Sequence, residues 1–487
     1  MKSQVPNEVR SVAEDLRAGG FEAYLVGGCV RDLLIGRSPK DWDITTNAKP
    51  EDIQRIFPDS YYTNDFGTVG VLRETNDESL KAIEVTPYRT ETIYSDKRRP
   101  DAVTFGDNLE EDLARRDFTI NAIAFDESKG QIVDPYKGQK DIELRVLRTV
   151  GVPVDRFEED SLRLMRAVRL VAELNFALDT ETAAAIKEKA ENLKHVSKER
   201  IRDEFIRIIN SDQPMMALVL AQQLGILEFI SSDLTRGIGI DQNQAHSYDV
   251  FGHLLRAVQH AADKNWSFDI RIAALFHDVS KPETRLWSKE KNDWTFHSHE
   301  VVGSRVTKRA LEELKFSRET IEKVTKLVRW HMFFSDPDQI TLSAVRRMIR
   351  NVGEENIWDL LNLRICDRIG TGRPKEQPFR FRKYKAMVEQ ALRDPLSVTM
   401  LKTDGNRIMK EFSLQAGPKL GLVLNALLDE VLDDPKRNTL EYLDQRTTEL
   451  LALAPEELKE RGENGRKKRE AKEEEELTKI LNKYKVS

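Results

Sequence analysis

Residues 24–46 read YLVGGCVRDLLIGRSPKDWDITT, and the order of residue types along this stretch decides how the chain begins to fold. Tyr24 to Val26 is a short apolar run, broken by Gly27 and Gly28 and followed by a helical pattern from Val30 to Ile35, which gives strand, tight turn and helix. Glycines at such a turn let the backbone come close to a ligand. The N–H groups opening the helix, with Arg31 beside them, suit phosphate. Beyond a loop at Gly36 to Lys40, the run Asp41-Trp42-Asp43-Ile44-Thr45 alternates carboxylates with apolar residues. On a strand that period puts Asp41 and Asp43 on one face and sends Trp42 and Ile44 into the core behind them. Two adjacent carboxylates repel unless a cation sits between them, and Mg²⁺ is the cation expected where carboxylates meet a triphosphate. A Gly-Gly turn or an Asp-x-Asp loop alone is ordinary; the two together in this order are specific.

These strings, GGCVRDLL and then DWDI, resemble the class II nucleotidyltransferases, the group of bacterial tRNA CCA-adding enzymes and poly(A) polymerases. The resemblance implies a multidomain chain: an α+β nucleotidyltransferase head (mixed sheet with helices) over 1–150, then an all-α neck, HD domain and tail. In the head, Lys81 to Tyr88 alternates as a strand with Ile83 and Val85 on one face and Glu84 on the other. Read alone, Glu84 is equally an exposed strand glutamate; the resemblance makes it the third catalytic carboxylate beside Asp41 and Asp43. Glu91 to Pro100 is polar and basic and reads as a loop, and in the family the corresponding loop helps the switch from adding C to adding A. Leu113 to Asn121, LARRDFTIN, concentrates polar groups where the chain enters an apolar strand, and such groups need partners. An internal salt bridge meets that need as readily as a ligand does. The string is similar to the motif that binds the ribose of the incoming nucleotide, which implies Asp117 on the ribose hydroxyl, with Arg116, Asn121, Gly27, Gly28 and Arg31 also on the nucleotide.

From Arg156 the pattern turns helical, RFEEDSLRLMRAVRLVAEL, with Leu162, Met165, Val168 and Ala172 spaced for one buried face. Asp160 and Arg163 stand three apart and project side by side. A carboxylate that accepts from an exocyclic amine, with a guanidinium that donates to a ring nitrogen, fits the pairing edges of C and A and opposes those of U and G. A surface ion pair is the other reading of the same spacing. Glu159-Asp160 to Arg163 resembles the family motif that serves as a protein template, with Ser161 where Pro is usual. The resemblance implies base recognition by Asp160 and Arg163, with Arg166 and Arg169 following on the helix. Ser197 to Ile201 resembles the next motif, within a helical neck over 151–235.

A second constellation comprises His253, His277-Asp278 at the end of an apolar run, His299, His331 and Asp367, on successive helical patterns. Imidazoles with carboxylates form a ligand set for divalent transition metals. His195, His246, His260 and His297 read as ordinary core or surface residues. Residues 246–370 resemble the HD phosphohydrolase domain: His253, His277, Asp278 and Asp367 match its four-ligand signature, and His299 and His331 match extra ligands of some members. HDVSKP stands where HDIGKP is usual, and Trp330 where a second His often stands.

Beyond residues 370–374 lies a linker, and then Phe379 to Lys385 interleaves aromatic and basic residues, which fits RNA-backbone contacts or the start of an amphipathic helix. Gly417-Pro418 opens an apolar helix in a helical body over 371–457, and residues 458–487 read as a solvated charged helical tail. The whole chain has 487 residues, net charge −6, 33% charged and 7% aromatic residues, so RNA binding must rest on local basic surface rather than bulk charge. Two distant cysteines exclude a disulfide framework and point to a reducing cytoplasm. No signal peptide or membrane span is evident. The resemblance implies CCA addition to tRNA from CTP and ATP, with Mg²⁺ at the head and a divalent transition metal at the HD site, and with neither DNA nor membrane as a partner. An A-adding enzyme, a poly(A) polymerase, an HD phosphohydrolase and an RNA-binding protein with an inactive head are the rival expectations.

Overall fold

The computed structural model describes residues 2–62, 67–90, 104–244, 246–333, 339–393, 398 and 401–486; the expected loop at 91–100 lies outside them. The chain divides into two units, Met1–His331 with Asn362–Pro374, and Met332–Leu361 with Lys375–Ser487. Among the described residues no helix is long and apolar enough to cross a membrane.

In the first unit, α1 (Asn7–Ala18) turns Val9, Val12, Ala13 and Leu16 inward. It is followed by β1 (Tyr24–Val26), α2 (Gly28–Leu34), β2 (Asp43–Thr46), α3 (Pro50–Ile56), β3 (Ser60–Tyr62), β4 (Val69–Leu72) and β5 (Ala82–Pro87). Then come β6 (Arg89–Thr90), β7 (Thr104–Phe105), α4 (Leu109–Ala114), β8 (Ala124–Asp126) and β9 (Gln131–Val133). Seven of the strands form one sheet in the order β3-β4-β5-β2-β1-β8-β9. Strand β2 runs parallel to β5 and antiparallel to β1, so the sheet is mixed, as the α+β expectation requires. Its core is built from Leu25, Ile44, Ile83, Val85 and Phe125 with the inner faces of α1 and α3. Trp42 joins them, 4% exposed. The period-two pattern of the sequence is therefore what fixes which side of β2 and β5 carries carboxylates.

The head closes with α5 (Gly138–Leu144) and β10 (Val146–Leu147), and the neck comprises α6 (Pro153–Glu159), α7 (Leu162–Leu174), β11 (Ala177–Leu178) and α8 (Thr180–Lys189). It continues with α9 (Lys198–Asn210), α10 (Pro214–Gln223), α11 (Leu227–Ile230) and α12 (Ser232–Thr235). The helical pattern expected from Arg156 is divided in the structure between two helices, α6 and α7. Asp160 is extended (φ −141°), and its Oδ1 accepts from the Leu162 N–H at 3.0 Å. A short acidic side chain that takes a local N–H offers the backbone an alternative to the helical ladder. Helix α7 is also buried on more than the one expected face, because α6, α9 and α10 all pack on it.

The rest of the unit holds α13 (Val250–Asp263), α14 (Phe268–Phe276), α15 (Lys281–Thr284), a hairpin of β12 (Arg285–Ser288) and β13 (Asp293–Phe296), α16 (His299–Glu313) and α17 (Arg318–Trp330). The hairpin was not anticipated inside a helical region; Arg285 to Ser288 and Asp293 to Phe296 each alternate over too short a span to stand out.

The second unit begins with α18 (Leu342–Val352) and the start of α19 (Ile357–Gly370), whose residues from Asn362 belong to the first unit. It continues with α20 (Phe379–Leu392), α21 (Gly405–Glu411), α22 (Pro418–Asp433), α23 (Leu440–Leu451) and α24 (Pro455–Lys483). Of the two readings of Phe379 to Lys385, the amphipathic helix is the one found: Phe381 and Tyr384 are buried, and Arg382 donates to the carbonyls of Tyr484 and Lys485. The charged tail is helical and mostly exposed, with a narrow buried stripe. Helix α24 starts at Pro455 and lies against α22 through two glycines. A Cβ on Gly462 would come within 2.8 Å of the Leu422 Cα, and one on Gly465 within 2.5 Å of the Asn425 carbonyl oxygen. Backbone that close has no room to give. Gly465→Ala is therefore expected to lower the stability of this unit by about 1–3 kcal/mol, despite alanine's better helix propensity, while a glycine at an open site such as Gly421 tolerates alanine. Urea unfolding followed by circular dichroism checks both.

Candidate active site and metal centre

Parallel pairing of β2 with β5 sets Asp43 directly opposite Glu84. Asp41 lies in the bend before β2 rather than on the strand, yet both aspartates face the glycine turn. A Cβ on Gly28 would sit 3.9 Å from Asp41 Oδ1, and one on Gly27 would sit 3.6 Å from Asp43 Oδ2 and 3.0 Å from Arg116 Nη1. Gly27 has φ +78°, a conformation that side chains rarely adopt, so both space and backbone require glycine there. Burial, then the charges of Asp41 and Glu84, push the Asp43 carboxyl up to about 7 against the pull of Arg116. Burial and Asp41 raise Glu84 too. Three carboxylates thus converge with too little positive charge among the protein groups, and their hard oxygen donors and the cleared space fit Mg²⁺.

Arg116 is held by Asp112, a fully buried carboxylate that also binds Arg115. Asp112 was not singled out in the sequence, although its spacing three and four residues before the arginines on α4 was the available signal. Arg31 is bound by Asp32 and donates from Nη1 to Asn121 Oδ1 at 2.8 Å. Asn121 Nδ2 donates to Asp117 Oδ1 at 3.1 Å, and Arg166 from α7 donates twice to Asp117 Oδ2, at 2.8 and 2.5 Å. Burial opposes ionisation of Asp117, but Arg166, the Asn121 amide and Arg163 hold its carboxyl well below the usual range. The expected nucleotide residues Arg31, Asn121, Asp117 and Arg166 therefore form one connected polar chain from α2 to the neck.

Asp160 and Arg163 are not brought together as a side-by-side pair. Asp160 Oδ2 binds Arg200 at 2.8 Å, whereas Arg163 binds Glu159 at 2.6 Å and donates to the carbonyls of Arg156 and Arg115. Their separation follows from the break at Asp160 that ends α6. Arg169 departs further from expectation: 3% exposed, it is tied to Glu204 at 2.6 Å and Glu173 at 2.7 Å. Stripping one member from such a buried pair costs about 3–5 kcal/mol, so Arg169 braces α7 against α9 rather than facing a nucleotide.

The second constellation is brought together in the structure. His253, His277, Asp278 and Asp367 present ligand atoms within 4.8 Å of one another, and Asp278, His299 and His331 form a second such group. Asp278 is common to both. His277, His299 and His331 each direct Nδ1 at a backbone carbonyl three residues earlier, those of Ala274, Phe296 and Val328, at 2.9, 2.6 and 2.7 Å. An Nδ1–H donated there leaves Nε2 with a lone pair. The Nε2 atoms of His253 and His277 approach to 2.9 Å and those of His299 and His331 to 3.3 Å. Lone pairs that meet this closely need a proton or a metal ion between them. Asp278 Oδ1 is buried without a hydrogen bond, 3.2 Å from His299 Nε2. Despite burial, Asp278 and Asp367 hold His277 up to about 10, so protons and cations compete for this nitrogen. Lys281, overlooked in the sequence although it lies in HDVSKP, puts Nζ 2.6 Å from Asp278 Oδ2 and 2.6 Å from Gln242 Oε1.

The head makes a signed prediction. Because folding raises the Asp43 carboxyl from 3.8 to about 7, the metal-free folded state favours its protonated form. Stability then falls as pH rises across that window and is lowest, from this group, above it. Asp43→Asn is expected to match the parent protein near pH 4 and to exceed it by about 1–3 kcal/mol at pH 8 in a chelator, with Mg²⁺ narrowing the gap. Urea unfolding at the two pH values, with and without Mg²⁺, measures this.

Three protein-family models match the chain: the Poly A polymerase head domain over residues 23–148, the probable RNA and SrmB- binding site of polymerase A over 175–237, and the HD domain over 250–369. The CCA-adding enzyme of Geobacillus kaustophilus (strain HTA426) is 46% identical over 220 residues, 45% of this chain and 53% of that relative. The CCA-adding enzyme of Geobacillus thermodenitrificans (strain NG80-2) is 40% identical over 277 residues, 57% of this chain and 65% of its own. The chain spans about half the length of the first of these and just under two thirds of the second. A crystal structure of the Bacillus stearothermophilus CCA-adding enzyme in complex with CTP matches with a TM-score of 0.60 at 28% identity, covering 91% of this chain and 98% of that one. The chain thus carries matches to a poly A polymerase head domain, an RNA-binding segment and an HD domain in this order, and is similar to CCA-adding enzymes over part of their length.

Proposed function

We propose that this protein adds C, C and A to the 3′ end of tRNA from CTP and ATP, without a nucleic-acid template, in the cytoplasm. The observation that carries the reading is the converging face of Asp41, Asp43 and Glu84 beside the Gly27-Gly28 turn, on a chain similar to enzymes named for CCA addition. In the reaction the tRNA 3′-hydroxyl attacks the α-phosphorus of the nucleotide and pyrophosphate leaves. Asp41 and Asp43 would hold a pair of Mg²⁺ ions, which would supply charge neutralisation for the phosphates and for the attacking and leaving oxygens. The glycine turn lets the polyphosphate approach the carboxylates, and Arg116 offsets its charge. Asp117, kept ionised by Arg166, accepts from the ribose hydroxyl. Asp160 and Arg163 read the base edge, which requires that they exchange their contacts with Arg200 and Glu159 for contacts with C or A.

A second activity is supported by the converging Nε2 atoms: the His253, His277, Asp278, His299, His331 and Asp367 cluster fits a divalent transition metal and metal-dependent hydrolysis of phosphate esters. It is separable from addition, because its ligands belong to different elements from the head carboxylates.

Offered tRNA that lacks all three nucleotides with CTP and ATP together, the protein is expected to stop after C, C and A. Long A-tails would assign it to poly(A) synthesis, and failure to incorporate C to A-addition. Asp41→Ala or Asp43→Ala is expected to lower addition by about a thousandfold or more while the fold persists. Asp160→Ala and Arg163→Ala are expected to admit U and G, read by single-nucleotide incorporation. His277→Ala with Asp278→Ala is expected to remove bound metal and phosphatase activity and to leave CCA synthesis largely intact.

A further inference from the structure

The residues assigned to the incoming nucleotide occupy only one side of the catalytic face. In the sheet order β3-β4-β5-β2-β1-β8-β9 they belong to the turn after β1 and to the segment that leads from α4 into β8. On the other side, toward β4 and β3, pairing continues in register: Asp43 opposes Glu84, Glu84 opposes Gly70, and Gly70 opposes Tyr61. Directly opposed residues project to the same face, so Tyr61 stands in one row with two of the carboxylates. Gly70 leaves a gap in that row, and the Tyr61 ring fills it. A Cβ on Gly70 would come within 2.7 Å of Tyr61 Cζ and 3.0 Å of its hydroxyl oxygen. The phenol end thus lies over β4, one strand spacing, about 5 Å, from the strand that carries Glu84. Tyr61 is 45% exposed, and its hydroxyl has no partner among the described residues. Tyr62, next along β3, points to the opposite face.

We propose that Tyr61 binds the RNA acceptor, its ring carrying the terminal nucleoside of the strand whose 3′-hydroxyl attacks. The inference rests on the nucleotidyl-transfer reading of the head and adds a residue that holds the second substrate. Displacement at phosphorus is in line, so the entering oxygen and the leaving pyrophosphate take opposite sides of the α-phosphorus. A polyphosphate beside Gly27, Gly28 and Arg116 puts the leaving group toward β1, and the entering hydroxyl then comes from the side of Glu84 and β4. An aromatic ring there accepts any terminal base, because every base has a π-face. Its hydroxyl can donate to a ribose oxygen or a phosphate. A lysine or arginine in the same place would pair with Glu84 and compete with the metal, whereas a neutral ring does not. An aromatic laid across a glycine also steadies strand pairing, but a ring kept for that alone would alter stability and not the dependence on one of two substrates.

The test follows initial extension of tRNA lacking CCA by the full chain with Mg²⁺, first against tRNA concentration and then against CTP concentration. Tyr61→Ala is expected to raise KM for tRNA about tenfold and to leave KM for CTP unchanged. Tyr61→Phe is expected to retain most of the affinity for tRNA. Gly70→Ala, which forces the ring aside while leaving it in the chain, is expected to reproduce the Tyr61→Ala defect, and the two changes together to do no more than either. Tyr62→Ala is expected to alter neither constant. Should Tyr61→Ala fail to fold, Tyr61→Leu, which covers Gly70 without offering a stacking face, carries the same expectation. An unaltered KM for tRNA in the folded variant, or equal rises in KM for tRNA and CTP, would overturn the proposal. If the protein adds only A, the same measurement with ATP and tRNA ending in CC still decides it, so the CCA reading can fail by itself. A parent protein that extends no RNA overturns both.

Discussion

Like charges placed opposite each other on neighbouring strands repel, and the head is arranged around one such contact, Asp43 against Glu84 across the β2–β5 pair. The pairing survives because every neighbour is matched to it. Trp42 and Ile44 anchor β2 from behind, Gly27 and Gly28 remove side chains that would fill the space in front, and Asp112 fixes Arg116 at its edge. Burial first, and then the charges of Asp41 and Glu84, push the Asp43 carboxyl up.

The HD cluster solves a related problem with different chemistry. Its carboxylates are neutralised from within, by Lys281 and by imidazoles whose orientation is set through carbonyls on the preceding helical turn. Helix ends supply those carbonyls: His277 follows α14 and His331 follows α17, where the last C=O groups have no partner along the helix. A ligand at the end of a helix is thus positioned by the same unsatisfied backbone that terminates it.

Much of this was legible in the sequence wherever residue type and local period spoke together. The alternation of Asp41 to Thr45 and of Lys81 to Tyr88 gave the faces of two strands from near neighbours and a fixed period, whereas the choice of Glu84 and of the six HD residues, far apart in the chain, rested on the family resemblance. What escaped depends on distant partners. Asp160 breaks its helix through a single side-chain bond, Arg169 is claimed by Glu204 thirty-five residues away, and α24 becomes a packed helix only because α22 receives its glycines. The β12–β13 hairpin escaped for another reason, since four alternating residues carry too little pattern to compete with the helices around them.

The polar chain from Arg31 through Asn121 and Asp117 to Arg166 has a further consequence. Its two ends lie on α2 in the head and α7 in the neck, and its middle, Asn121 and Asp117, is buried. The separation of these two helices is therefore set by the lengths of a few hydrogen bonds rather than by the give of apolar packing, so a change at any link is felt at both ends.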